Sequence, residues 1–212
     1  LTVFTKQRFP MDWASAQNNL GSIYQTLGQR TRDASRLEQS AAAFQAARQV
    51  YVRRKFPLDW AMSYCNLGNT LQLLGGVTDK PEHYSEAIAA YRDALREYKR
   101  ETNPRQWALS QAGLGSTLHW LSMSNADPRI LQDSIAARRA ALEVLTIETA
   151  PVDWANAQNG IGMSLLNLGN IERTGKYLDN AGAAFTATLK VFTRESQPMQ
   201  WAFEQSNLGD IH

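Results

Sequence analysis

The stretch FPMDWASAQNNLG, from Phe9 to Gly21, returns as FPLDWAMSYCNLG from Phe56 to Gly68. Trp13, Trp60, Trp107, Trp154 and Trp201 are each 47 residues apart, and a proline stands three residues before every one. An alanine follows each tryptophan, and a glycine comes eight residues after it: Gly21, Gly68, Gly115, Gly162 and Gly209. A fixed period in this range marks a repeat architecture, in which no single repeat buries its own apolar face and neighbours stack into a shared core. Residues 1–8 align with 48–55, and residues 197–212 align with the first sixteen of a repeat. The expectation is one array over 1–212. It comprises a partial second helix (1–8), complete repeats at 9–55, 56–102, 103–149 and 150–196, and a partial first helix (197–212). Neither end carries an obvious polar cap, so the chain reads as a fragment of a larger protein.

Within the first repeat, Trp13, Gln17, Leu20, Tyr24 and Leu27 step by 4, 3, 4 and 3, one face of a helix. Pro10 suits the first helical position, Asp12 the positive end of the helix dipole, and Gly28 the C-terminus. This predicts a first helix, A, over about 11–28. Leu37, Ala41, Phe44, Arg48 and Tyr51 step in the same way and predict a second helix, B, over about 34–54. Pro81, and Pro128 behind an Asp127 N-cap, mark its start in later repeats. Each repeat is therefore an antiparallel helix pair, and the fold class is all-α. Glycine inside a helix costs about 1 kcal/mol relative to alanine. Gly21 and its equivalents are expected to offset that cost by allowing close helix approach. The tryptophans are expected to pack on the B-helix tails that carry Phe4, Tyr51, Tyr98, Leu145 and Phe192.

Composition narrows the function. The chain of 212 residues is 43% hydrophobic with a net charge of +2, too near neutral to imply a polyanion partner. The basic runs at Arg53–Lys55 and Lys99–Arg100 give way to Glu148 and Glu195, so they read as solvated helix ends and not as a nucleic-acid surface. No apolar run approaches the ~20 residues of a membrane span. The single Cys65 excludes an internal disulfide and fits a reducing, cytoplasmic compartment. His83, His119 and His212 fall at unrelated repeat positions, and no zinc, phosphate-loop or nucleotide motif is present. No enzyme, cofactor or metal is expected.

Leu20-Gly21-x-x-Tyr24 with Gly28, Ala87-x-x-x-Tyr91, Ala181-x-x-x-Phe185 and the closing prolines Pro57, Pro104, Pro151 and Pro198 resemble the tetratricopeptide repeat family. The resemblance covers the whole chain. It departs in period, 47 residues against the family's roughly 34, and in Gln17, Tyr64, Gln111, Gln158 and Gln205 at the family's large first position. It looks like a long-helix variant. The resemblance implies a right-handed α-solenoid whose A helices line a concave groove.

Carried over residue by residue, the groove includes Asn18, Asn19, Asn66, Asn69, Leu109, Trp120, Asn159, Met163, Leu166 and Asn207. Asn19, Asn66 and Asn207 stand where peptide-binding members place an asparagine ladder, which Gly113 and Gly160 interrupt. An amide both donates and accepts, so Asn18, Asn19, Asn66 and Asn69 are expected to hold a peptide backbone. Leu109, Trp120, Met163 and Leu166 are expected to form an apolar pocket, with Trp120 as an aromatic anchor. The groove list contains no Lys or Arg. The expected function is a protein–protein interaction module taking a peptide of a protein partner. The alternative is a scaffold that stacks end to end as a homo-oligomer.

Overall fold

The computed structural model describes residues 5–209; Phe4, Asp210 and His212 lie outside them. The described residues are all-helical, with no strand, and helices adjacent in sequence pack on one another as in a helical repeat. The chain divides into two compact units, Leu1–Asn103 and Pro104–His212. In the first, α1 (Pro10–Thr31) packs on α2 (Ala34–Ala47), α2 on α3 (Pro57–Thr78), and α3 on α4 (Pro81–Ala94). In the second, α5 (Pro104–Ser124) packs on α6 (Pro128–Leu142), α6 on α7 (Pro151–Glu172), α7 on α8 (Leu178–Thr188), and α8 on α9 (Pro198–Gly209). A 3₁₀ turn, Gly175–Tyr177, precedes α8. The odd-numbered helices are the A helices and the even-numbered ones the B helices.

The A helices begin at the expected prolines. The carbonyl of the residue before each proline accepts the first helical bond: Trp13 N–H donates to Phe9 O, Trp60 to Phe56, Trp154 to Ala150 and Trp201 to Gln197, each at 2.9 Å. Asp33 and Asp127 cap α2 and α6, and Pro81 and Pro128 take the first helical position of α4 and α6. The A helices run past the predicted end. Gly28 lies inside α1, and the left-handed cap falls at Arg32, with Asp33 N–H donating to Gly28 O at 3.0 Å. Asp79 and Arg173 hold the same left-handed position after α3 and α7. Gly28 is a packing residue, on the same close-approach stripe as Ala14 and Gly21, because a Cβ there would meet Leu37 Cγ at 2.8 Å.

The B helices are shorter than predicted. α2 ends at Ala47, not near residue 54. Beyond it the bonding tightens: Val50 N–H donates to Ala47 O at 3.0 Å, and Tyr51 N–H closes a last turn on the same oxygen. Tyr51, Tyr98, Leu145 and Phe192 are all buried there. These anchors continue the apolar stripe without continuing the helix. VYV, VLT and VFT are rich in β-branched and aromatic residues, which lose rotamer freedom in a helix. A second turn then closes on the residue before each proline. Its N–H donates four residues back at Phe9, Phe56, Asn103, Ala150 and Gln197, at 2.8–2.9 Å. Thr5 opens the first of these turns, so residues 5–8 form this turn and not the end of a helix as expected.

The helix-A glycines accept the bulk of the partner B helix. A Cβ on Gly21 would lie 2.8 Å from Phe44, on Gly68 3.1 Å from Tyr91, and on Gly162 2.6 Å from Phe185, whose ring is fully buried. Two of the recurrent tryptophans pack into the core as expected, and Trp13, Trp154 and Trp201 are half-buried. Trp60 is buried, and Trp107 packs on Ala108, Ala141, Leu145 and Ala150. A cation seven residues earlier lies over three of the rings: Lys6 over Trp13, Arg53 over Trp60 and Arg194 over Trp201, at 5.5–6.0 Å.

Two tests follow from this packing. Gly115→Ala would place a methyl 2.7 Å from Arg138 Cγ and 2.9 Å from the Ser134 carbonyl, so we expect a loss of about 1–3 kcal/mol in chemical denaturation. Gly209→Ala meets nothing within 4 Å and should be neutral or better. Arg173→Gly, at φ 51°, should stabilise by about 1 kcal/mol, read as a higher thermal midpoint.

Candidate functional site

The A helices are nearly free of charge along their length. No Asp, Glu, Lys or Arg lies between Asp12 and Arg30 of α1, after Asp59 in α3, after Arg105 in α5, or between Asp153 and Glu172 in α7. The B helices hold charges instead, as in Arg129, Asp133, Arg138 and Arg139 of α6. Each unit's candidate surface is therefore its A-helix side.

In the first unit two of the four asparagines, Asn18 and Asn66, are bonded to one another. Asn18 is buried, and its Oδ1 accepts from Asn66 Nδ2 at 3.4 Å. Asn69 is exposed, with its Oδ1 accepting from the Tyr91 hydroxyl at 2.5 Å. Asn19 is exposed. Asn19 and Asn69 are thus the exposed amides of this unit, and Asn18 and Asn66 are bonded to one another. Beside this row, Arg48 lies over the Tyr64 ring at 3.5 Å and donates to its hydroxyl, while Tyr64 meets Trp60 at 4.4 Å between centroids. Tyr64 takes the place where every other repeat has glutamine, so it supports the helix joint.

In the second unit the expected apolar residues separate into two places. Leu109 is half-buried on the cluster of Ala108, Ala141, Leu145 and Ala150. Trp120 follows eleven residues later on α5, about 16 Å along the axis. Leu109 and Trp120 therefore cannot line one pocket. Trp120 is 48% exposed, and Met123, absent from the sequence-based set, is 64% exposed. Asn167 of α7 donates to Met123 Sδ at 3.5 Å, which ties the two A helices at that level. Met163 is half-buried on the core of Leu131, Ile135, Ile161, Leu165, Leu168 and Phe185, and Leu166 is half-buried. Trp120 meets the His119 ring edge-on at 5.8 Å between centroids.

Asn159 and Asn207 serve the interior. Asn159 Nδ2 donates to Glu204 Oε1 at 2.6 Å, and Asn207 is buried. Glu204 Oε2 is buried without a partner, and burial pushes the Glu204 carboxyl above the usual range against the pull of its hydrogen bonds.

The residue that sequence reasoning missed is Arg138. It occupies the B-helix position that holds Phe44, Tyr91 and Phe185 in the other repeats, and it is only 6% exposed. Its stem packs on Gly115, and its guanidinium fills the space a side chain at Gly160 would take. Nη1 donates to Ser134 Oγ and, at 3.4 Å, to Ser164 Oγ. Among the described residues no carboxylate pairs with it. Burial pulls its pKa down to about 10. The interruption of the ladder at Gly160 thus has a steric cause. The aligned repeats carry the signal, an Arg in an aromatic column and a Gly in an Asn column. Also among the described residues, no group of three or more His, Cys, Asp or Glu could hold a metal ion.

A double-mutant cycle tests this fit. Gly160→Asn alone drives a side chain into the guanidinium and should cost about 3 kcal/mol or more. Arg138→Phe combined with Gly160→Asn rebuilds the Phe44 and Asn66 combination of the first joint. It should recover most of that loss in urea melts, because a well-packed apolar group replaces a buried charge. Set against protein-family models the chain matches none, and a search of curated proteins returns no match.

Proposed function

We propose that the chain is a non-catalytic protein-interaction module of the tetratricopeptide kind, an α-solenoid segment of right-handed hand whose A-helix surfaces take a peptide of a protein partner. The observation that carries this is the pairing of A helices uncharged along most of their length with Trp120 and Met123 exposed on α5. Aromatic anchors in such settings contribute a large share of binding energy, and methionine adapts to irregular partners. In the first unit Asn19 and Asn69 supply amides that pair with a backbone whatever its side chains. The partner segment is correspondingly uncharged where it touches these helices. None of the helices among the described residues is long and apolar enough to cross a membrane. A cytoplasmic setting is part of this proposal, with no nucleic acid and no cofactor.

A second reading, a self-assembling scaffold, draws on α1. Ile23 and Leu27 are 56% and 44% exposed, whereas at the Leu27 position Leu74 and Leu168 are buried and Leu121 is half-buried. End-to-end stacking would cover them. Light scattering separates the two readings. A mass that grows with concentration and is lost in Ile23→Lys supports assembly, and a constant mass excludes it.

The peptide reading is tested with binders selected from a displayed random-peptide library. Trp120→Ala or Asn69→Ala should weaken the binders of its own unit roughly tenfold or more with far-UV circular dichroism unchanged. Affinity should change by no more than about twofold between low and high salt, because no ion pairs form. Binders that ignore both substitutions, or that weaken steeply with salt, would refute the reading.

A further inference from the structure

The second unit holds a polar layer among α5, α6 and α7 that combines two basic side chains. His119 is 7% exposed, and its Nδ1 lies 3.1 Å from Ser164 Oγ. Ser164 Oγ lies 3.1 Å from Ser134 Oγ, and Arg138 Nη1 donates to both hydroxyls. The hydroxyl pair has a counterpart in the first unit, where Ser40 Oγ and Thr70 Oγ1 are 3.0 Å apart. The basic residues have none, because Gln25 and Phe44 stand at the positions of His119 and Arg138. Ser164 spends its hydrogen on Gly160 O at 2.9 Å and Ser134 spends its own on Gly115 O at 2.7 Å. The imidazole tautomer that fits donates Nδ1–H to Ser164, which leaves Nε2 to take a proton. His119 also meets the Trp120 ring edge-on, with centroids 5.8 Å apart.

We propose that this layer is an acid-sensitive joint, in which a proton on His119 puts a second cation beside Arg138 and opens the packing of α5 on α6 and α7. No carboxylate lies in the layer to balance the two charges. Arg138 is the charge that faces His119 from α6. The polar group facing it from α7 is the neutral Ser164, and the one Lys or Arg of α5 itself, Arg105, is at the far end of the helix. Burial first and Arg138 second hold the imidazole at about 4, against 6.5 when free. The closed joint therefore refuses a proton that the open form accepts. Its contribution to stability is complete above about pH 6.5 and is lost as pH falls toward 4. The joint does not rest on the peptide-binding reading of the Trp120 surface.

The test uses the whole chain without any partner. Thermal melts at pH 7.5, 6.0 and 4.5 are paired with amide hydrogen exchange resolved to individual helices. The wild type should lose roughly 5–10 °C more than His119→Gln on going from pH 7.5 to 4.5. Protection should fall first in α5–α7, while α1–α4 hold theirs. Equal losses in the two proteins, or earlier loss in α1–α4, would overturn the proposal. Should His119→Gln fail to fold at pH 7.5, Arg138→Phe with Gly160→Asn keeps the histidine and removes its cationic neighbour. A smaller acid loss in that variant supports the joint, and an unchanged one overturns it. Peptide affinity is not read, so failure of the binding proposal would leave this outcome intact, and the reverse holds too.

Discussion

A bare backbone on one helix facing a large side chain on its partner sets the geometry of every pair. Where Gly21, Gly68 or Gly162 lies against Phe44, Tyr91 or Phe185, the ring occupies the volume that a Cβ would claim. The helices can then approach closely enough to bury those rings completely or nearly so. Glycine is a poor helix former, and the loss is offset by the apolar area the ring removes from water. Leu37 against Gly28 and Tyr84 against Gly75 repeat the arrangement two turns on, so the two pairs of the first unit are pinned at two levels. The alanines and serines of the B helices, Ser40, Ala47, Ala87, Ala94 and Ser134 among them, are buried around the same contacts. Once these contacts exist, the uncharged side of each A helix is what remains outward.

Much of this was legible in the sequence, because a repeat shows which positions cannot vary. Five copies of Pro-x-x-Trp-Ala and the glycine eight residues after each tryptophan located the A helices and their close contacts. Two boundaries were not legible. Tyr51 extends the helical spacing of Leu37, Ala41 and Phe44, and spacing alone cannot separate a further helical turn from a buried side chain on a tight turn. Gly28 looked like a terminator, since glycine both ends helices and permits close packing. The left-handed cap falls instead on Arg32, a residue type that gives no such signal. At the candidate site, a list of surface positions could not reveal that Asn18 and Asn66 satisfy one another or that Asn159 turns toward Glu204. Those outcomes depend on side-chain reach between helices, which one-dimensional spacing does not contain. Nor could it reveal that Leu109 and Trp120, both assigned to one pocket, sit at different heights of the same rod.

The placement of polar groups separates the two sides of each helix pair. Charge gathers on B helices and on the turns, where Arg53 pairs with Glu97 and Arg129 with Asp127. Neutral amides and hydroxyls gather on A helices, several of them returning to the backbone four residues earlier, as Thr70, Thr117 and Ser164 do. Burying such hydroxyls is tolerable because each has a carbonyl within reach. Arg138 differs from the other B-helix charges in being buried, and it is buried beside a histidine, His119.

Nearly identical modules in tandem carry a hazard during folding, since a B helix can dock on the wrong A helix with almost the right shape. Arg138 narrows that choice. Its guanidinium needs the vacancy above Gly160, and the corresponding columns of α1, α3 and α9 hold Asn19, Asn66 and Asn207, while that of α5 holds Gly113. An α6 misdirected onto an asparagine column would bring a buried cation against an occupied position, whereas the native docking receives it without conflict. A single basic side chain thus works as a key that tells the glycine slots of a monotonous lattice from the asparagine ones.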